Sequence, residues 1–216
     1  VMLVTSRSAL GHATSPFASE LEAVKDAVSS RRTDYLAVRS CARMALAELG
    51  VPPTEILNDE DRVPLWPEGI VGSLSHCPGY QVAAVAPSNR VCALGIDVEP
   101  NLALPAEVLR LVADEDEIAQ LQGAKKARTA IAWDRLLFSA KESVFKAWFP
   151  RTREWLEFQD CHLTFDAQAS NLTEGGRFEA EIRVRHEGPA GETSGKMTGR
   201  WCLDGSVLLT AVCIRT

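Results

Sequence analysis

Two carboxylates lie two positions apart in a short apolar run. Residues 95–99 read GIDVE, so Asp97 and Glu99 alternate with Ile96 and Val98. Successive side chains of a β-strand point to opposite faces, so we expect the two acids on one face and the two aliphatic residues in the core. Mg²⁺ prefers such oxygen ligands, which makes a metal site one hypothesis. A solvated strand face is the commoner explanation for a pentapeptide of this kind.

A second group of chemically capable residues lies in the segment 138–148, which reads FSAKESVFKAW. Glu142 and Lys146 are four residues apart and are therefore neighbours on one helix face, a pairing that is common in exposed helices. The same face carries large aromatic residues, namely Phe138, Phe145 and Phe149. A stripe that mixes ions with aromatic rings suits the wall of a cofactor cleft. The residues alone leave both interpretations open.

Basic residues cluster in the first third of the chain. Arg32, Arg39 and Arg43 fall on one narrow helical stripe, with Arg31 beside it. Guanidinium groups bind phosphate well, so the cluster indicates an anion site in an otherwise acidic chain. Solvated helix charges are the commoner explanation of such a stripe.

Residues 72–76, GSLSH, form a turn-rich segment with two hydroxyls and an imidazole, all of them candidate phosphate contacts. A Ser–His nucleophile pair is the competing hypothesis. Neighbours such as Ser75 and His76 seldom reach each other productively, and the sequence has no G-x-S-x-G motif. We therefore favour phosphate binding.

The composition is that of an ordinary globular protein of 216 residues. With 29 acidic and 23 basic residues the formal charge is -6, which disfavours nucleic acid or an anionic membrane as the main partner. The six cysteines form no C-x-x-C pair, so neither a thiol catalyst nor a zinc cluster is expected. We see no signal-peptide pattern and no apolar run long enough to span a bilayer, and expect a cytoplasmic protein.

The first half of the chain is predicted to be one long helix followed by strands. Residues 31–49 repeat apolar side chains with helical period, and Ser29 or Ser30 is the expected N-terminal cap. A polar, acidic loop with prolines follows at 58–67. Strands are then predicted at 81–86 and 91–99.

The second half is predicted to begin with two helices. The shorter covers about 105–122 and ends at Gly123. The longest helix of the chain covers 127 to about 149, where Pro150 stops it.

The end of the chain is predicted to be rich in β-structure. The strands are 161–165, 178–185, 196–203 and 206–214. The last two form a hairpin around the dipeptide Asp204-Gly205. Because a helix precedes strands in each half, two similar units joined near residues 90–100 are expected.

Taken in order, three segments resemble the signature motifs of the phosphopantetheinyl transferase superfamily: WP…GSLSHC at 66–77, GIDVE at 95–99 and FSAKESVFKA at 138–147. The chain is similar to the larger monomeric type that activates peptide and polyketide synthases, and especially to actinobacterial enzymes of the mycobacterial kind. The resemblance implies an α+β pseudo-dimer in which residues 1–95 and 96–216 form similar subdomains. Each would pack a small antiparallel sheet of three strands on a long helix, with coenzyme A in the cleft between them.

The same resemblance implies roles for individual residues. A divalent cation, Mg²⁺ or Mn²⁺, would be held by Asp97, Glu99, Glu142 and the Val98 carbonyl. Coenzyme A would be held at its adenosine and 3′-phosphate end by Arg31, Arg39 and His76, assisted by Ser75, and at its pyrophosphate by Lys146. Glu142 would be the general base toward a serine hydroxyl, while Lys146 and the metal held by Asp97 stabilise the departing 3′,5′-ADP.

One segment departs from the similar actinobacterial enzymes. They carry a glycine-rich loop with a lysine where this chain reads NDEDR at 58–62, so a cationic contact to coenzyme A is missing there or has moved to Arg62. The implied partners are acyl or peptidyl carrier proteins of polyketide, peptide or fatty-acid synthases. A basic patch is the hypothesised docking surface for them: Lys125, Lys126 and Arg128.

Two further functions stay open from the sequence. A Mg²⁺-dependent phosphohydrolase acting on coenzyme A or a nucleotide would use the same carboxylates, with water as the acceptor in place of a carrier protein. An inactive binding module would hold coenzyme A or a carrier without chemistry. The joint presence of Asp97, Glu142 and Lys146 argues against the inactive module.

Overall fold

A computed structural model describes residues 1–6, 14–127, 129–166, 175–184 and 193–216. Its helices are α1 Ala18–Ala23, α2 Ser29–Ala47, α3 Ala106–Val112, α4 Glu115–Ala127 and α5 Trp133–Thr152. Its strands are β1 Met2–Ser6, β2 Ile70–Cys77, β3 Tyr80–Pro87, β4 Val91–Pro100, β5 Cys161–Phe165, β6 Gly175–Val184, β7 Thr193–Asp204 and β8 Val207–Arg215. No helix in these described ranges combines the length and the hydrophobicity needed to cross a membrane.

The strands form two antiparallel sheets. The N-terminal sheet has the order β1-β3-β2, and the C-terminal sheet has the order β4-β8-β7-β6-β5. The predicted α+β class is therefore confirmed. The second sheet has five strands where the family resemblance implied three.

Helix α2 packs on the N-terminal sheet through small side chains. Ala42, Ala45 and Leu46 are buried against Ala83 and Val85 of β3. Small residues on both surfaces let the helix backbone lie close to the sheet. This half therefore has its own core.

Helix α5 packs on the C-terminal sheet, and its closest approach is to β4. Leu136, Ala140 and Val144 are fully buried in this core. At Gly95 of β4, a Cβ atom would collide with the backbone carbonyl oxygen of Ser143 in α5. The glycine of the GIDVE segment therefore lets α5 lie against the strand that carries the acidic residues.

Two expectations for the N-terminal half were wrong. Val28, not a serine, is the N-terminal cap of α2, and Ser29 and Ser30 are its first two helical residues. Residues 72–76 are not turns, because they lie inside β2 and pair along their whole length with β3. The serine hydroxyls of β2 have other partners, described below.

The helix predicted at about 105–122 is divided into α3 and α4. Asp114 and Glu117 form reciprocal hydrogen bonds of 2.8 and 2.9 Å between side chain and backbone amide, a capping box that starts a new helix. Gly123 does not end α4, since a glycine inside a helix costs only about 1 kcal/mol. Helix α5 starts at Trp133 rather than at residue 127, and Pro150 lies in its last turn.

The predicted strands are confirmed to within a few residues at their ends. In the final hairpin Asp204 pairs with Val207, so the turn residues are Gly205 and Ser206 rather than Asp204 and Gly205. Gly205 has φ 62°, in the left-handed region that favours glycine. The subdomain boundary at residue 95 stays a prediction; the position falls within β4.

The approach of α5 to β4 gives a stability prediction. We expect Gly95→Ala to lower the free energy of unfolding by about 1 to 3 kcal/mol, because the added methyl group overpacks backbone that cannot move away. Urea unfolding followed by circular dichroism measures the change. Gly123→Ala is the control: its Cβ meets no atom within 4 Å, and it should be neutral or stabilising. Equal stability of Gly95→Ala and the wild type would contradict a close approach of α5 to β4.

Candidate active site

The two sheets meet where β2 lies beside β4. The Ile96 amide donates a hydrogen bond of 3.0 Å to Ser73 Oγ, and the Val98 amide donates one of 3.2 Å to Ser75 Oγ. Ser73 and Ser75 are two residues apart and therefore lie on one side of β2. Their hydroxyls bond amides of β4 that would otherwise lie unpaired at the edge of the sheet. The serine pair thus fixes β2 against β4, beside a buried apolar cluster that β2 and β3 share with β4.

Ser75 is also part of a polar cluster with Asp97 and Lys146. Its hydroxyl donates to Asp97 Oδ1 at 2.8 Å, and Lys146 Nζ contacts both Asp97 Oδ1 at 2.6 Å and Ser75 Oγ at 3.2 Å. Asp97 is buried, whereas the Lys146 side chain is partly exposed. One serine therefore connects β2, β4 and α5.

The second carboxylate oxygen of Asp97 has unused acceptor capacity. Oδ2 is buried and, among the residues that the structure describes, has no hydrogen-bond partner. A buried ionised oxygen without a partner is costly, so the position favours a cation or another donor.

Glu142 lies one helical turn before Lys146 and lines the cavity beside this cluster. Burial raises the pKa of its carboxyl above the usual range; the charge of Lys146 opposes this shift and that of Asp97 adds to it. Burial and Asp97 likewise raise the pKa of Glu99, against the opposing effect of Arg135. Arg135 Nη1 lies 3.0 Å from Glu99 Oε2.

The donor set fits a hard divalent cation. Asp97, Glu99 and Glu142 offer only oxygen atoms. Burial raises the pKa values of Glu99 and Glu142, with the charge of Asp97 adding to the shift, and an added cation would relieve both effects. Within the described ranges, the oxygens of these three carboxylates do not all lie within 4.8 Å of one another. Lys146 and Arg135 already hold Asp97 and Glu99 by ion pairs. The Val98 carbonyl stays a predicted ligand.

A second group of possible metal ligands lies closer together than the three carboxylates. Asp114, Glu117 and His162 bring ligand atoms within 4.8 Å of one another. Both oxygens of Glu117 are already bonded, Oε1 to the Leu163 amide and Oε2 to the Asp114 amide and Lys141 Nζ. We therefore assign this cluster a structural role.

A cavity of about 700 Å³ lies beside the Asp97 cluster, between α2, β2, α5 and the loop that follows residue 57. Its lining includes every residue predicted to bind coenzyme A, namely Arg31, Arg39, Ser75, His76 and Lys146. Glu142 lines it as well. Asp97 lies behind this lining and contacts two of the lining residues, Ser75 and Lys146.

The predicted arginine stripe does not form a single anion site. The Arg39 guanidinium donates to the Ile56 and Tyr35 carbonyls and to Asn58 Oδ1, at 2.8, 3.2 and 2.7 Å. Arg43 forms a buried ion pair of 2.6 Å with Glu20. Both side chains turn toward internal partners, which helical spacing alone does not reveal.

Sequence reasoning missed several residues that shape the site. Arg135 lies seven residues before Glu142, so helical spacing would have found it. Lys141 was overlooked beside Glu142; it is buried and donates to the Val112 and Phe158 carbonyls and to Glu117, each at 2.8 Å. Trp155 packs against two phenylalanines of α5 and also lines the cavity. No sequence signal indicates its contact.

Comparison with known families decides the class of protein. A model of the 4'-phosphopantetheinyl transferase superfamily matches residues 93–203, and a model of the 4'-phosphopantetheinyl transferase N-terminal domain matches residues 19–86. The chain belongs to the 4'-phosphopantetheinyl transferase superfamily. This confirms the resemblance carried by the three sequence motifs.

Several curated members of the superfamily are similar over most of their length. The chain is 41% identical over 197 residues to 4'-phosphopantetheinyl transferase PptT of Mycobacterium tuberculosis, covering 91% of this chain and 85% of the relative. It is 42% identical over 196 residues to Npt of Nocardia iowensis, covering 90% and 87%. With Svp of Streptomyces mobaraensis the identity is 41% over 198 residues, covering 92% and 78%.

Two buried cysteines of this phosphopantetheinyl transferase chain are poor nucleophiles. Burial raises the pKa of Cys77 to about 11, with the charges of Glu99 and Asp97 adding to the shift. Burial also raises the pKa of Cys161 to about 12. Thiols with such pKa values are protonated at neutral pH, which supports the expectation that they act as apolar core residues.

The raised Glu142 pKa predicts how the metal-free protein responds to pH. Between the usual glutamate pKa and the raised value, the folded state binds more protons than the unfolded state, so stability falls as pH rises through that window. We expect Glu142→Gln to remove this loss and to raise the melting temperature at pH 7 by a few degrees, roughly 3 °C per kcal/mol. Melting curves in a chelator from about pH 5 to 8 measure this.

The same melting curves contain a control and a contradiction. Glu107→Gln alters an exposed glutamate of α3 and should leave the pH profile unchanged. A Glu142→Gln protein whose melting temperature falls in parallel with the wild type across the whole range would show that Glu142 is not destabilised in its ionised form.

Proposed function

We propose that this chain transfers the 4'-phosphopantetheine group of coenzyme A to a serine hydroxyl of a carrier protein. The family matches support this proposal over both halves of the chain. The structural observation that carries it is the Asp97–Lys146 ion pair, which lies at the wall of the cavity that also holds Glu142.

The cavity is lined by basic side chains that can donate hydrogen bonds to a coenzyme with several phosphates. Arg31 and His76 line it from the N-terminal half, and Lys146 lines it from α5. Arg39 reaches the same cavity, but its guanidinium already serves internal acceptors. We assign the binding of the adenosine and 3'-phosphate end to Arg31 and His76, and that of the pyrophosphate to Lys146. Arg39 and Ser75 would line the cavity beside them.

An aromatic cluster forms another part of the cavity wall. Phe145, Phe149 and Trp155 pack with ring centroids 5.0 to 5.9 Å apart. The uncharged pantetheine arm contains methyl and methylene groups that an aromatic wall binds well. Phe145 is three residues from Glu142 on the same helix. A pantetheine arm bound to the aromatic cluster would therefore place the adjoining pyrophosphate close to Glu142.

The carboxylates would hold the Mg²⁺ or Mn²⁺ that the family resemblance implies. Asp97 would contribute its free oxygen Oδ2, together with Glu99 and Glu142, and the Val98 carbonyl is a further predicted ligand. When bound, the cation neutralises the pyrophosphate and stabilises the charge that develops on the leaving phosphate. Lys146 supplies positive charge from the protein itself.

Glu142 is the proposed general base. The oxygen of the carrier serine forms a bond to the phosphorus on the pantetheine side, the bond from that phosphorus to the bridging oxygen breaks, and 3',5'-ADP departs. The serine proton passes to the Glu142 carboxylate. Burial raises the Glu142 pKa and so makes it a stronger base than an exposed glutamate. Lys146 donates hydrogen bonds to the departing phosphate oxygens.

We further propose that the two helix-and-sheet units are the subdomains of a pseudo-dimer, residues 1–95 and 96–216, in a monomeric cytoplasmic protein. The packing of α2 and α5 on separate antiparallel sheets supports two units. The partners are acyl or peptidyl carrier proteins of polyketide, peptide or fatty-acid synthases. In the hypothesised docking patch Lys125 and Lys126 are exposed at the end of α4, and Arg128 lies outside the described residues.

Intact-mass spectrometry of an apo carrier protein tests the proposal. With coenzyme A and Mg²⁺ we expect a mass gain of one phosphopantetheine group per carrier. Glu142→Gln should slow the transfer by about 10² to 10⁴-fold, the usual contribution of a general base. Glu107→Gln, an exposed glutamate outside the cavity, should transfer at the wild-type rate.

The same assay separates the two other functions. Release of pantetheine phosphate from coenzyme A without a carrier would identify a phosphohydrolase. Coenzyme A binding without transfer or hydrolysis, across several carrier types, would identify an inactive binding module. Either result contradicts the proposed transfer.

A further inference from the structure

An arginine at the end of α5 contacts the acidic loop on the other side of the cavity. Arg153 Nη1 lies 2.7 Å from Asp59 Oδ2 and 3.1 Å from Asp61 Oδ2. We call these three residues the Arg153 clasp. Asp59 and Asp61 belong to the N-terminal half of the chain and Arg153 to the C-terminal half, so the clasp ties the two halves together through contacts separate from those of the serines.

The Asp59 carboxylate also organises its own loop. Its other oxygen, Oδ1, accepts hydrogen bonds from the Asp61 and Val63 amides at 3.0 and 2.8 Å. A short bridge between Asn58 and Pro64 closes the loop. One carboxylate thus shapes the turn and, through its second oxygen, fixes that turn to α5.

The backbone is left-handed on both sides of the clasp. In the described ranges, Arg62 at φ 67° and Arg153 at φ 58° are the two non-glycine residues with positive φ. This conformation is unfavourable for residues with a Cβ atom and persists where surrounding contacts hold it. Both strained positions adjoin the contacts of Asp59 and Asp61.

The clasp joins two walls of the cavity beside the Asp97 cluster. Glu60, Asp61 and Arg62 line it from the loop, while Phe149 and Pro150 line it from the last turns of α5. The carboxylates of the loop would repel an anionic ligand. The guanidinium of Arg153 lies beside two of them, Asp59 and Asp61, and offsets their charge. The clasp therefore has both a geometric and an electrostatic effect on the cavity.

We propose that Arg153 is a positioning residue that holds the acidic loop in place and offsets its charge, and so strengthens the binding of coenzyme A. The proposal rests on the function proposed above. A loop that is ordered before the ligand arrives costs less to order on binding. Since Arg153 touches none of the proposed reacting groups, its loss should weaken coenzyme binding and leave the chemical step unchanged.

Steady-state kinetics with a carrier protein tests this role. We expect Arg153→Gln to raise the KM for coenzyme A about threefold to fivefold, in keeping with two partly exposed ion pairs, while kcat stays within about twofold. Arg151→Gln is the matched control. It removes the same charge from the same helix end, and in the described part of the chain no carboxylate lies within ion-pair distance of Arg151.

A second substitution distinguishes positioning from a general structural effect. In the Arg153→Gln background Asp61 is an unpaired negative charge at the cavity wall, so adding Asp61→Asn should lower the KM again toward the wild-type value. In the wild-type background the same change removes one contact of Arg153 and should not improve binding. This difference between the two backgrounds is not expected if Arg153 only stabilises the fold.

Each outcome bears on a different proposal. An Arg153→Gln enzyme with the KM of Arg151→Gln would overturn the role of the clasp and leave the transferase intact. A further rise in KM on adding Asp61→Asn to Arg153→Gln would also overturn it. A wild-type protein that neither binds coenzyme A nor modifies any carrier would overturn the proposed function, and the clasp proposal with it.

Discussion

The site of this molecule depends on two serine side chains that bond the edge of a neighbouring sheet. Ser73 and Ser75 of β2 accept hydrogen bonds from the Ile96 and Val98 amides of β4. The backbone amides of an edge strand need hydrogen-bond partners or cover. In this protein serine side chains of β2 accept hydrogen bonds from two amides of β4, in place of backbone carbonyls of a further strand. Each half has its own sheet and a core beneath its helix, and a third buried apolar cluster lies between β2–β3 of one half and β4 of the other. The short line of serine hydrogen bonds sets the register of β2 against β4 across this shared cluster.

The chemistry of the site follows from that junction. Ser75 uses the same oxygen to hold β4 and to contact Asp97 and Lys146, so assembling the two sheets also orients a buried ion pair. Gly95 brings α5 onto β4 and sets Glu142 beside that pair. Asp97 and Glu142 are therefore placed by the packing of the two sheets against each other and of α5 against β4, and the cavity lies beside this junction.

The sequence was sufficient wherever a pattern is local. Alternation along β4 predicted the shared face of Asp97 and Glu99, and helical spacing predicted that Glu142 and Lys146 are neighbours. It failed where the partner is distant in the chain. Serines and a glycine in residues 72–76 suggested turns, and the prediction was wrong because strand pairing with β3 outweighs local preference. The contact of Arg153 with Asp59 joins residues far apart in sequence, and no periodicity reports it.

Amide hydrogen exchange at Ile96 and Val98, followed by NMR, tests the serine junction most directly. In Ser73→Ala the Ile96 amide should exchange about fivefold to tenfold faster, since one hydrogen bond contributes about 1 kcal/mol, while Val98 keeps most of its protection. In Ser75→Ala the Val98 amide should lose protection and the Ile96 amide should keep it. Unchanged protection of both amides in both variants would show that the shared apolar cluster alone holds the sheets together, and would contradict a role of the two serines in the junction.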